Sequence, residues 1–269
     1  MSRWKRYFAP LWACCGIAAA PSAMSQAVPA GPLMVAEQGS FAVGGTVTTT
    51  PGTYDNNKPT AAGQTHHGDH LYAFYQVPQN HRALPIVMLH GAFQSARSWE
   101  TTSDGREGFQ TLFLRRGFPV YLVDQPRRGR AGNTSVGGAA EPTPNDQLLF
   151  DQFRIGKWPN YFEGVQFDRK PETLNQFFRS MTPNTGPYNA GVIAGAMSAL
   201  FDRTGPGILF THSQGGGPGW LTAIQNPNVK AIVAFEPGSG FIFPAGELPP
   251  AMPSAPRTPS PRAGGQADF

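Results

Sequence analysis

GILFTHSQGGGPGWLTAI, Gly207–Ile224, is the stretch on which the fold turns. A short apolar run leads into Thr211-His212-Ser213-Gln214-Gly215, and a string of glycines and an amphipathic segment follow. This order predicts a buried strand, a sharp turn and a helix. A turn of that kind holds its serine in a strained backbone conformation, with the hydroxyl exposed above the edge of a sheet. Small residues beside it let strand and helix approach. Ser213 is the candidate nucleophile. Thr211 stands where the first glycine of such turns usually falls, and an ordinary turn with an exposed serine is the competing explanation.

Working outward, Leu84–His90 (LPIVMLH), Pro119–Asp124 (PVYLVD), Gly207–Phe210 and Val229–Phe235 are continuous apolar runs. Strands buried on both faces of a parallel sheet have this character. His70–Pro78 is a further β-rich run, and Gly39–Thr50 carries shorter ones between turns. Gly108–Arg116, Asn189–Arg203 and Gly217–Gln225 fit helices. The alternation implies an α/β fold with a mostly parallel sheet and crossover helices. The four apolar strands should be adjacent and parallel. Between Gly129 and Pro187 the pattern gives way to turns and aromatics, among them Phe150, Trp158, Tyr161 and Phe177. An insertion over residues 130–187 is expected, a lid over the C-terminal edge of the sheet. The alternative is that its aromatics fill only its own small core.

His90-Gly91-Ala92-Phe93 follows the first apolar strand directly. The loop at this place supplies one backbone N–H to an oxyanion hole, and the residue after the nucleophile supplies the other. Ala92 and Gln214 are the expected donors, with Phe93 as a substitute for Ala92. Gly91 lets the backbone come close, and His90 shapes the loop. Glu236 ends the strand after the serine turn, in Phe235-Glu236-Pro237-Gly238. A carboxylate there points into the same crevice and would orient a base histidine. A solvated strand-end carboxylate is the alternative. Asp124 also ends a strand and is expected to be a structural hydrogen-bond acceptor.

Together HGAFQSARSW, DQPRRGRAG, THSQGGGPGW and VAFEPG resemble secreted bacterial esterases of the α/β-hydrolase superfamily, over roughly residues 36–244. The resemblance implies a Ser–His–Glu triad with Ser213 as nucleophile, Glu236 as acid and Ala92 with Gln214 as the oxyanion hole. It implies a small ester or lactone substrate and no cofactor. The triad histidine of this superfamily follows the acid in the chain, yet no histidine follows His212. The last strands and the base histidine are expected after Pro244 and are not found there. The expected activity is thus impaired ester hydrolysis, unless an upstream histidine serves. A non-catalytic or truncated protein of this fold is the second reading.

The remaining composition narrows the field. Arg3, Lys5 and Arg6 precede an apolar run to about Ala20, and small residues follow, which reads as a secretory signal over residues 1–27. The location is then periplasmic or secreted, with no membrane anchor after cleavage. Both cysteines, Cys14 and Cys15, fall inside this segment. Without its three basic residues the net charge of +4 falls to about +1, which speaks against nucleic-acid binding. The single domain is placed at 28–244, and the Pro-rich residues 245–269 are expected to be a disordered tail. Thr65-His66-His67-Gly68-Asp69-His70 approaches a zinc-hydrolase pattern. The later ligands such a site needs are missing, so no metal is expected. Nothing in the sequence bears on the oligomeric state.

Overall fold

The computed structural model describes residues 31–238. The expected signal segment and the tail, residues 245–269, lie outside them. The described strands are β1 (Val35–Val43), β2 (Thr46–Thr49), β3 (Thr65–Gly68), β4 (Leu71–Pro78), β5 (Ile86–Leu89), β6 (Val120–Asp124), β7 (Gly156–Lys157), β8 (Asn160–Tyr161), β9 (Gly207–His212) and β10 (Val229–Phe235). The helices are α1 (Phe109–Leu114), α2 (Asp146–Gln152), α3 (Pro171–Arg179), α4 (Ala190–Thr204) and α5 (Gly216–Gln225).

Six strands form the main sheet, in the order β1-β4-β6-β5-β9-β10. The four apolar runs lie side by side and parallel, as expected. β4 and β1 extend the sheet antiparallel. The two-residue period of a strand divides the apolar residues between two faces. Val87, Leu89, Val123 and Leu209 meet Ile193, Met197, Leu200 and Phe201 of α4. Ile86, Met88, Leu122 and Phe210 face the other way, onto Leu114 of α1 and Trp99. The sheet is thus covered on both sides, which is why its central strands are apolar without alternation.

α4 shows how local chemistry sets an element. The Asn189 side chain accepts the N–H of Val192 and caps the first turn. Gly205, at φ +78°, ends the helix in a conformation that suits glycine. Between these stops Ile193, Met197, Leu200 and Phe201 fall on one face and are buried. Complete burial of each such side chain contributes about 1.5–3 kcal/mol.

β2 and β3 make a separate two-stranded ribbon. The insertion, read from sequence as turns and aromatics, holds α2, the β7–β8 hairpin and α3. Asn145 caps α2 through Leu148 N–H, and Pro171 stands in the first turn of α3. Its aromatics pack on one another: Phe150 on Trp158 and Tyr161, and Phe177 on Phe153 and Phe167.

Candidate active site

β9 delivers the chain to Ser213, whose φ of +50° lies in the left-handed region that side chains avoid. The chain then turns through Ser213–Gly215 into α5. Two glycines permit the close return. A Cβ on Gly215 would meet the His90 carbonyl oxygen at 2.7 Å, and one on Gly219 would meet Thr211 Cγ2 at 2.5 Å. A third serves the facing loop. A Cβ on Gly91 would stand 2.9 Å from Ser213 Cβ and 2.9 Å from Gln94 Oε1. The structure therefore brings Ser213 and the His90–Phe93 loop together, as the sequence predicts.

That loop is held from several sides. Gly91 N–H donates to Gln94 Oε1 at 2.9 Å, and His212 Nδ1 lies 2.8 Å from the same oxygen. The amide oxygen only accepts, so His212 carries its proton on Nδ1. The Gly91 carbonyl accepts from Arg128 Nη1 at 2.8 Å and from His90 Nδ1 at 3.0 Å. His90 is fully buried, and its Nε2 accepts the Gln125 N–H at 3.3 Å. Burial, with Arg128 adding to it, pushes the His90 imidazole down to about 3. His90 is therefore neutral, bonded to the Gly91 carbonyl and to Gln125 N–H. Phe93, at φ +57°, has its carbonyl pinned by Thr182 N–H at 2.8 Å. Among the described residues no acceptor takes the Ala92 N–H.

Gln214 opens the turn into α5, where backbone N–H groups have no partner within the helix. Its side-chain oxygen lies 3.5 Å from Arg128 Nη2. Asp124 is structural, as expected: it accepts from Ala96 N–H, Arg130 N–H and Arg130 Nε. It thereby ties the turns after β5 and β6 together.

Glu236 follows β10, at φ +44°. Two residues on, Gly238 N–H donates to the Ser213 carbonyl at 2.7 Å, so the chain past Glu236 closes on the serine turn. The Glu236 carboxylate is exposed and pairs with Arg154 of the insertion at 2.7 Å. Burial lowers the His212 imidazole, with Glu236 acting against it and Arg154 with it.

All six histidines of the chain fall among the described residues, and none is hydrogen-bonded to Ser213 there. His66 and His67 are exposed neighbours on β3, so their side chains leave opposite faces of the strand. Asp69 is buried and held by Arg127 Nε and Nη2 and by Ser135. Asp69 is therefore already committed to Arg127 and Ser135.

The sequence did not single out Gln94, Arg128, Arg154 or Thr182. The two arginines in Asp124-Gln125-Pro126-Arg127-Arg128, after a buried strand, were the available signal, since buried arginines must find partners. The insertion also bounds a cleft of ≈ 460 Å³ with the turn after β5, lined by Gln94, Arg97, Thr101, Gln176, Phe177 and Met181. Gln94 joins this cleft to the serine turn.

A covered, mostly parallel sheet, a strained serine after its fifth strand in order and a clamped glycine loop facing it define a hydrolase-type α/β architecture. The sequence profile of the alpha/beta hydrolase family matches residues 86–268, and the chain belongs to that family. A probable secreted lipase, phiG, of Fungal sp. (strain ATCC 74256) is 36% identical over 177 residues. The match covers 62% of this chain and 49% of that protein, so the chain spans about half the length of this relative. A bacterial esterase solved at atomic resolution superposes with a TM-score of 0.67 at 30% identity, over 78% of this chain and 70% of that one. The likeness is thus to the esterases and lipases of the family. No helix among the described residues is long and apolar enough to cross a membrane.

Proposed function

We propose that this chain is a serine carboxylic-ester hydrolase. The observation that carries it is the backbone of Ser213, at φ +50° between β9 and α5, with its Cβ against Gly91. In this scheme Ser213 Oγ bonds to the ester carbon and its proton passes to solvent water, which returns one to the departing alkoxide oxygen. The carbonyl oxygen takes the negative charge and sits on the N–H groups of Ala92 and Gln214. Collapse expels the alcohol and leaves an acyl-serine, which water then hydrolyses. Glu236 is the acid of the site, and the insertion over residues 130–187 acts as its lid. The substrate is a small ester or lactone, taken up along the cleft beside Gln94. The basic and apolar start of the chain, and the name of the fungal relative, favour export from the cytoplasm.

None of the six histidines is hydrogen-bonded to Ser213, so the hydroxyl is not activated and turnover is slow. An oxyanion hole alone leaves roughly 10³–10⁴-fold catalysis over water. The test is p-nitrophenyl acetate hydrolysis by the 269-residue chain and by Ser213→Ala. The serine reading expects slow release of nitrophenol that Ser213→Ala removes. Release that is identical in both sinks it and leaves a binding protein of the same fold.

A further inference from the structure

We propose that Arg128 is the positioning residue of the oxyanion hole, because it fixes the plane of the peptide that joins Gly91 to Ala92. The proposal rests on the serine-hydrolase reading above.

Gly91 must be glycine, because any Cβ would strike Ser213. Glycine is also the residue whose backbone turns most freely. A hole built on it would lose its aim unless both flanking peptides were held, and both are. Gln94 holds the N–H side at 2.9 Å. Arg128 Nη1 holds the carbonyl side at 2.8 Å. In a planar trans peptide the carbonyl oxygen and the following N–H point in opposite directions. Fixing the Gly91 oxygen on Arg128 therefore aims the Ala92 N–H away from Arg128. His90 Nδ1–H meets the same oxygen and adds to the hold.

The setting of Arg128 points the same way. It is 3% exposed, and its side-chain hydrogen-bond partners are neutral: Asn184 Oδ1 on Nε (2.7 Å) and on Nη2, the Gly91 carbonyl on Nη1, and Gln214 Oε1 at 3.5 Å. Asp124 and Glu141 act on it only at a distance. A buried guanidinium with no carboxylate as hydrogen-bond partner is costly to keep. Its neighbour Arg127 has such a partner in Asp69. The acceptors of Arg128 instead come from the glycine loop, the serine turn and the end of the insertion. One planar fork thus joins three segments, two of which meet at Ser213. Lysine has a single ammonium and cannot reproduce that fork.

The test uses the full chain with Arg128→Gln and Arg128→Lys, beside Ser213→Ala, in p-nitrophenyl acetate hydrolysis with kcat and KM read separately. Removing one oxyanion donor costs about 10²–10³ in kcat. Arg128→Gln should approach ~10² with KM held within about twofold, and Arg128→Lys should recover part of the loss. Should Arg128→Gln fail to fold, Arg128→Lys carries the test, with a several-fold lower kcat at unchanged KM. A wild-type kcat in the folded variant overturns the proposal, and so does a loss that appears only in KM. Crystal structures of the same variants read the geometry without turnover. A rotated Gly91–Ala92 peptide supports the proposal, and a peptide that keeps its orientation overturns it. Ser213→Ala with wild-type release sinks the hydrolase reading instead, and the peptide orientation then decides the part played by Arg128.

Discussion

The two sides of the serine turn are built differently. On the side of the Gly91 loop, Arg127 pairs with Asp69 at side-chain exposures of 8% and 4%, and Arg128 and His90 are buried. On the Glu236 side, Arg154 pairs with Glu236 at 71% and 65%. The bond lengths are the same, 2.7 Å, so geometry alone would rank the pairs equally. Desolvation separates them. A buried charge that loses its partner has nowhere to turn, whereas an exposed one is taken up by water and salt. The Gly91 side is therefore expected to arrive pre-formed, and the Glu236 side to be adjustable.

The largest effect should come from breaking the buried pair. Asp69→Asn leaves the Arg127 guanidinium buried without a countercharge, and removal of one partner from such a pair costs about 3–5 kcal/mol. Urea unfolding should show the midpoint falling with the slope unchanged. The Arg127 guanidinium also holds the Asp69 carboxyl far below the usual carboxylate range. Its contribution is full above the unfolded value near 4 and is lost as pH falls through and below that range. A variant as stable as the wild type would show that the two sides do not differ in the way proposed.

A smaller effect separates the sides by pH. His90 is neutral when folded, held at about 3 against an ordinary 6.5, with burial as the main cause. Arg128 and His212 act with burial, and the Gly91 carbonyl and Asp124 act against it. Below about 6.5 the unfolded chain binds a proton that the folded chain refuses, so stability falls as pH falls. At roughly 1.4 kcal/mol per pH unit, the loss reaches about 2 kcal/mol by pH 5. Above 6.5 this contribution is constant. Urea midpoints between pH 8 and pH 5 should trace that shape, and His90→Gln should flatten it in part. The remainder comes from His212, which burial also lowers. Equal slopes in wild type and His90→Gln would mean that His90 is protonated within the fold.

What the sequence made legible follows the same division. β5, β6 and β9 were readable because both faces are buried, and burial on both faces demands an unbroken apolar run. Ser213 was readable because its turn needs small residues at fixed places. β3 was not, since THHG pairs with the exposed TVTT of β2 and buries almost nothing. α2 and α3 are short, and the aromatic character of the insertion hid the Asn145 cap of α2 and Pro171 in the first turn of α3. Gln94 left no pattern to find, and the arginine pair after β6 marked Arg128 only as a residue in need of partners. Each acts through a hydrogen bond to Gly91, from three and thirty-seven residues away in the chain. Such bonds are fixed by tertiary packing and leave no periodic trace.

The smallest effect is expected at Arg154. Arg154→Ala removes the ion pair of Glu236 at a place where both groups already meet water. Pairs of this kind gain little from attraction, because the solvent screens them and two long side chains must be ordered to form them. The midpoint of unfolding should stay within error of the wild type, and a change of salt should move both proteins alike. Arg154 also lies close enough to lower the His212 imidazole, while Glu236 raises it. Its removal should therefore move His212 upward, toward its ordinary value. An NMR titration of the imidazole resonances reads this directly. A rise in the His212 midpoint with unaltered stability would show a Glu236 side that tunes charge without holding the fold. A loss of stability comparable to that of Asp69→Asn would break the comparison, because the exposed pair would then be holding the insertion to β10 as firmly as Arg127 and Asp69 hold their own segments.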